Sequence, residues 1–427
     1  MQMPIPMIKP SVGVLICINT MIAAGLFINP GPLTNIAGPL GFMGYLISAV
    51  LLFPLLLCIA ELSRLHPVSG GLYAFGKAHI GSWAGFLSGW GYFIGKTTSA
   101  AVLMHKFVQF FQANIPALSI IPTLMLDYIL IFSLVMLNIL GMRVGGRAQY
   151  IFTALKALPI LFTFGAGFIF FDTQLFDIQP THISNIWSTI PIAVFALLGF
   201  EIICAIGHMI EDSKKNIKRV IITSFLIVAT IDILFQGVIF GILGNSLIGM
   251  NQPILALGFK VFTIPLFARV INGAVFAAVL GACFSILTSN CWNLHTLAKN
   301  NHIPFGNILT KVTNNNVPWV CLFFEAVLGC LILAISSDQV PMQNMAVFAQ
   351  IISYLISGFA AFYAARTVQD FTLPRWVPVL GIGSACFILC LSLQKLIIFG
   401  ISFSYLSLFL VGIFAAVWQK KSGQSNS

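Results

Sequence analysis

The chain predicts an all-α membrane protein with twelve transmembrane helices. Hydrophobic residues make up 59% of its 427 positions and charged residues only 7%, a composition that excludes an ordinary soluble enzyme. Apolar runs of about 20 residues recur from end to end, long enough at about 1.5 Å per residue to cross a hydrocarbon core of about 30 Å. Between them lies no polar stretch large enough to form a domain of its own.

The first five runs fall at 11–36, 40–64, 82–112, 119–141 and 147–171. The next five are 187–210, 218–243, 266–298, 318–336 and 341–366, followed by 374–394, 397–419 and a tail at 420–427. The segments around 106–120 and 244–266 are the least regular, and the latter reads as a short surface helix. The opening residues carry one lysine and no small-residue cleavage site, so the first run is expected to stay as a span.

Two runs are poor helices. In the first, MIAAGLFINPG, Met21 to Gly31, places two glycines, an asparagine and a proline inside an apolar segment. In the sixth, FALLGFE, residues 195–201, does the same with one glycine and a glutamate. A broken helix frees backbone N–H and C=O groups that lipid cannot satisfy, so each break must face protein or a water-filled cavity. The freed N-terminal half then offers N–H donors and a partial positive charge to an anion such as a carboxylate. Because the two breaks stand five spans apart, an odd number, the second block of five enters the membrane from the opposite side. The chain therefore reads as one domain, 1–427, with inverted repeats at 11–171 and 187–366 and two added helices at 374–419.

Net charge is +10, but its distribution is topological. With the N-terminus inside, fifteen of the 21 Lys and Arg, including Lys9, Arg64 and the run Lys214, Lys215, Lys218 and Arg219, fall on the inner side. Both termini are thus expected in the cytoplasm, and the charge says nothing of nucleic acid. Nine cysteines are scattered through apolar segments with no CxxC pair or metal-ligand spacing, so neither metal nor cofactor is expected. No HExxH, phosphate-binding loop or GxSxG is present, which removes the signatures of an enzyme and leaves no catalytic residue to name.

Several motifs in order resemble the amino acid–polyamine–organocation superfamily, specifically its bacterial amino acid permeases and antiporters. Gly25 and Phe27 fall in register with that family's first-span glycine stretch. Pro67, Gly70, Gly71 and Tyr73 match its Pro-x-x-Gly-Gly-x-Tyr loop, FALLGFE matches its sixth-span run, and HTLAKNNHIP is similar to its stretch after span 8. The resemblance implies a LeuT-type five-plus-five inverted repeat with broken helices 1 and 6, and substrate held among spans 1, 3, 6 and 8. Ala23 and Ala24 stand where the family commonly has glycine and a serine or alanine, so a carboxylate would rest on backbone N–H groups there. Asn216-Ile217 replaces the family's usual Asn-Pro.

Ionisable residues at membrane depth cost about 2.5–3.5 kcal/mol on insertion scales, so each needs a reason. Lys96 lies about 21 Å along span 3 and Lys156 about 14 Å along span 5 at helical rise. Lys156 resembles the lysine that replaces a sodium ion in sodium-independent relatives, and Ser285, Thr288 and Ser289 are expected to supply hydroxyls near it. Glu201 matches the family's glutamate after the span 6 break, which the resemblance links to proton sensing. Lys96 would repel cationic substrates unless Glu201 neutralises it, and Phe195 is placed to fold over the substrate as a gate. Ala23, Ala24, Gly25, Lys96, Phe195, Gly199 and Glu201 form the expected substrate site, with Lys156, Glu201, Ser285, Thr288 and Ser289 as coupling residues. Asp127, Asp232, His105 and Glu325 also lie in or beside spans and receive no role.

The expected function is sodium-independent secondary transport of amino acids across the cytoplasmic membrane by alternating access, through exchange or with protons. Its partners would be the small-molecule substrate, the lipid bilayer and protons, with a homodimer compatible. A related amine or polyamine as substrate, or a sensor of the same fold that does not transport, are the alternatives.

Overall fold

A computed structural model describes residues 8–22, 25–67, 70–139, 142–315 and 317–424. Ala23 and Ala24, expected to bind substrate, lie outside the described residues. The first span is divided into α1, Pro10–Met21, then α2, Gly25–Ile28, and α3, Pro30–Ala37. Pro10 and Pro30 open their helices, where the missing N–H is not needed. Helix α4, Gly41–Leu65, follows, and then α5, Gly71–His79. In sequence this last segment reads as loop, since its two glycines, Gly71 and Gly76, carry no helical signal.

Next come α6, Ser82–Asn114, α7, Thr123–Ile139, and α8, Met142–Phe170. The 33-residue α6 runs through part of the segment whose end was irregular in sequence, and Pro116 begins the 3-10 turn beyond it. After α9, Pro180–Ser184, the sixth span divides into α10, Ile190–Leu197, and α11, Ile202–Ala205. The chain continues with α12, Ser213–Leu243, α13, Pro253–Val261, α14, Pro265–Lys299, and α15, Gly306–Leu309. It closes with α16, Trp319–Ile335, α17, Gln339–Thr367, α18, Trp376–Ile398, and α19, Ser402–Gln424. The short α13 falls within 244–266, but it is half-buried, with Ile254 and Leu257 turned inward, rather than lying on the surface.

Among the described residues, seven helical stretches are long and apolar enough to cross a bilayer. Four shorter apolar helices stand beside them: Thr123–Ile139, Ala154–Phe170, Trp319–Ile335 and Ser402–Trp418. Large apolar side chains such as Phe168 at 94% and Phe403 at 83% exposure face outward, as lipid-bathed positions do. The chain is therefore a multi-pass membrane protein.

Packing draws the broken spans to the centre. Helix α17 lies along α6 and α18, α12 along α4 and α1, and α14 between α6 and α8. The last helix is pinned by polar ends of buried aromatics: Tyr405 Oη donates to the Met345 carbonyl at 2.9 Å, and Trp90 Nε1 to the Phe409 carbonyl at 3.1 Å. At the end of the bundle where Lys9 stands, Ile8 N donates to Met209 O at 2.7 Å and Glu211 N to Ile8 O at 3.0 Å. This pairing joins the foot of the first span to the foot of the sixth.

At the same end, the buried Glu61 carboxylate accepts from Arg64 Nη2 at 2.8 Å, Lys218 Nζ at 3.1 Å and Thr372 N at 2.7 Å. Arg64 and Lys218, read from sequence only as orientation charges, thus also tie α4 to α12 and to the segment before α18.

Candidate functional site

The two breaks meet. A Cβ on Gly25, the first residue of α2, would stand 2.8 Å from Ala196 Cβ and 2.9 Å from Ala196 Cα, so only glycine lets α2 and α10 approach this closely. Gly199 adopts φ +125°, a backbone conformation that favours glycine, and ends α10 against Met21. Its N–H, freed by the break, donates to Glu201 Oε2 at 2.8 Å. The break of the sixth span is therefore satisfied by its own glutamate.

Glu201 gathers three further donors. Lys96 Nζ stands 2.9 Å from Oε1, Tyr92 Oη donates to Oε1 at 3.0 Å, and Tyr354 Oη donates to Oε2 at 2.6 Å. Four donors around one carboxylate are the environment of an ionised acid. Lys96 also lies 5.3 Å from the centre of the Tyr92 ring, which adds a cation–π contact. The condition under which Lys96 would not repel a cationic substrate, neutralisation by Glu201, is met within this site.

Lys156 is buried, and its Nζ donates to the Asn19 carbonyl at 2.8 Å. Asn19 lies two residues before the end of α1, so the ammonium is held against the first break from α8. Ser285 and Ser289 line a cavity of about 20 Å³ together with Asn19, Thr20, Lys96 and Ile202. Thr288 turns elsewhere: its hydroxyl bonds to Asn138 on α7 and to the Phe284 carbonyl, so it supplies nothing beside Lys156. Phe195 is buried in α10 next to Ala196.

A second cavity, of about 60 Å³, reaches Glu201 from the Lys9 end and is lined by Gly70, Gly71, Tyr73, Tyr92, Asn293 and Thr296, among others. Tyr73 Oη and His302 Nε2, 3.0 Å apart, close α5 onto the segment after α14. At the opposite end lies a larger cavity of about 420 Å³, lined by Gly31, Asn35, Lys106, Gln339 and Lys395 among apolar side chains. The cavity at the Lys9 end thus touches Glu201, and the larger one lies at the other end of the bundle.

Sequence reasoning missed Tyr92, Tyr354 and Asn29. Tyr92 had a signal, since it stands four residues before Lys96 on one face of α6. Tyr354 had none, because α17 is remote in sequence. Asn29 donates to Tyr45 Oη at 3.2 Å and to the Ile192 carbonyl at 3.1 Å, and it accepts from Gln343 Nε2 at 2.8 Å. It braces the far side of the first break against α4, α10 and α17.

A helical membrane protein whose interrupted spans converge on a buried ion pair reached by a cavity from one end has the build of a small-solute transporter. Residues 14–423 match the family described as amino acid permease, and the chain belongs to that family. It is 23% identical over 398 residues to the serine/threonine exchanger SteT of Bacillus subtilis, covering 90% of this chain and 91% of that one. It is 25% identical to the amino-acid permease AapA over 333 residues, 73% of this chain and 70% of the relative. With the gamma-aminobutyric acid permease it shares 24% over 330 residues, 71% and 67% of the two chains. Both of these are also from Bacillus subtilis.

Proposed function

We propose that the protein carries amino acids across the cytoplasmic membrane by sodium-independent alternating access, through exchange or with protons. In this reading twelve spans form a five-plus-five inverted repeat with two added helices, both termini in the cytoplasm, and the Lys9 end faces inward. The substrate carboxylate docks on backbone N–H groups of the first break around Ala23, Ala24 and Gly25. Its amine docks on carbonyls of both breaks near Gly199, with Phe195 as the gate above.

One observation carries the reading: Lys156 Nζ donates to the Asn19 carbonyl at the end of α1. An amine in that position, when protonated, supplies the charge that a coupled sodium ion would otherwise bring. Ser285 and Ser289 line the small cavity that Asn19 and Lys96 also reach.

The Lys96–Glu201 pair cancels charge within the cavity, which favours a zwitterionic amino acid with a neutral side chain. The serine/threonine specificity named for one relative agrees with that choice.

Counterflow in sodium-free proteoliposomes preloaded with unlabelled amino acids tests the proposal. Uptake of labelled serine or threonine that needs internal amino acid, persists without sodium and is lost in Lys156→Ala is the expected result. Uptake that requires sodium, or no accelerated uptake with any amino acid, overturns it.

A further inference from the structure

Glu325, on α16, is 1% exposed and plays no part in the site described above. Its Oε1 accepts from Asn290 Nδ2 at 2.9 Å, and its Oε2 is buried with no hydrogen-bond partner. Asn290, on α14, is fully buried and overcommitted. Its amide nitrogen has two hydrogens and faces three acceptors: Glu325 Oε1, the Phe93 carbonyl at 3.1 Å and Thr97 Oγ1 at 3.1 Å. The last two belong to α6, and Thr97 is the neighbour of Lys96.

A polar chain leads outward from there. Asn293 Nδ2 donates to Asn290 Oδ1 at 3.1 Å, and Asn293 lines the cavity that also reaches Glu201. Cavity, Asn293, Asn290 and Glu325 form one continuous path from the Lys9 end to an incompletely bonded carboxyl.

No counter-charge stands beside that carboxyl among the described residues. From α6, Lys96 is committed to Glu201, and His105 pairs with Asp127 of α7 at 2.6 Å. Tyr128 of α7 donates to the Cys330 carbonyl, while Cys291 of α14 and Cys321 of α16 itself are the nearest other titratable groups. The described side chains of α15 and α19 include no charged residue. An unpaired carboxylate in such surroundings is strongly disfavoured against the neutral acid.

We infer that Glu325 is a proton-binding carboxyl that links transport to proton movement through Asn290 and Asn293. In the closed arrangement it holds its proton, and Asn290 can turn both N–H groups to α6. When the cavity at the Lys9 end opens and water passes Asn293 and Asn290 to stand against the Glu325 carboxyl itself, the O–H bond breaks, the proton passes to that water, and the electron pair stays on the carboxylate. The carboxylate then draws an Asn290 N–H from Thr97 and loosens α14 from α6 beside the Lys96–Glu201 pair. This rests on the transport reading and chooses proton linkage within it.

Three measurements on the full chain test it. Infrared difference spectra of purified wild type and Glu325→Gln at neutral pH are expected to show a protonated-acid C=O band that the variant lacks; an identical band in both overturns the inference. Counterflow against internal pH is expected to change up to about tenfold per pH unit in the wild type and to be flat in Glu325→Gln, which is permanently neutral. A variant profile equal to that of the wild type overturns the coupling even if the band is lost. Asn293→Leu keeps the carboxyl and is expected to slow deuterium exchange of the band several-fold; unchanged exchange overturns the path. A wild type that carries no amino acid refutes the transport reading and the coupling together, whereas the infrared result still decides whether Glu325 holds a proton.

Discussion

Lys96 Nζ and Glu201 Oε1 stand 2.9 Å apart, joining the middle of α6 to the break of the sixth span. Both charges are largely buried, so each depends on the other. Glu201→Gln leaves a buried ammonium without its counter-charge, and a loss of about 3–5 kcal/mol is expected. The double variant Lys96→Met with Glu201→Gln recovers most of that loss, because it removes the orphaned charge as well. Thermal unfolding in detergent of the three variants checks this, and a double variant no more stable than Glu201→Gln would count against a paired charge.

Gly25 permits the crossing of the two broken spans. In Gly25→Ala the new methyl would lie 2.8 Å from Ala196 Cβ, and overpacking of this kind costs about 1–3 kcal/mol. Adding Ala196→Gly is expected to recover only part of the stability, since Ala196 Cα remains 2.9 Å from the added group. The melting temperatures of the single and double variants give the comparison.

Lys156→Met keeps the length of the side chain and removes its hydrogen bond to the Asn19 carbonyl. A hydrogen bond to a charged group contributes about 1.5–3 kcal/mol, so the alignment of α1 with α8 weakens. Counterflow is expected to fall at least about tenfold, the factor that about 1.4 kcal/mol represents. Initial rates at saturating substrate decide it; an unchanged rate would remove Lys156 from the transport cycle.

His66 and His79, at the end of the bundle near Lys9, place their Nε2 atoms 2.8 Å apart. Burial lowers the pKa of both below the usual 6.5, and His66 lowers that of His79 further. The unfolded chain therefore binds more protons than the folded one as pH falls below about 6.5. Stability from this pair is complete above that pH and declines with acidification. The melting temperature is expected to drop between about pH 7.5 and about pH 5.5, and to drop less in the His66→Gln, His79→Gln double variant. Equal slopes for both proteins would exclude the pair as the source.

Particular elements show how far sequence reading reached. The interruption near Gly25 was legible because glycine, asparagine and proline cannot all sit in a sound membrane helix, and Lys96, Lys156 and Glu201 were legible because charge in lipid needs a reason. Helix α5 was not, since Gly70, Gly71 and Gly76 hide a helix that forms only by packing on α6 and α17. Ser285, Thr288 and Ser289 share one stretch of α14, yet Thr288 turns to Asn138 while the other two face Asn19 and Lys96. Helical spacing orders residues around an axis, and it is the neighbouring helices that decide which arc meets which partner.

By itself, the sequence determined that this protein lives in lipid, where its apolar runs fall, which two of them break and which charges are buried. Those properties follow from the solvent, because a bilayer sorts each segment by its own hydropathy and by the satisfaction of its own backbone. Only the tertiary structure decided that Glu201 is held by Lys96, Tyr92 and Tyr354 together, that Asn29 braces the first break, and that Glu325 connects to a cavity through two asparagines. These are contacts between side chains far apart in the chain, up to 314 positions for Asn29 and Gln343. Their energies depend on distance and direction between helices, quantities set by packing of the whole bundle.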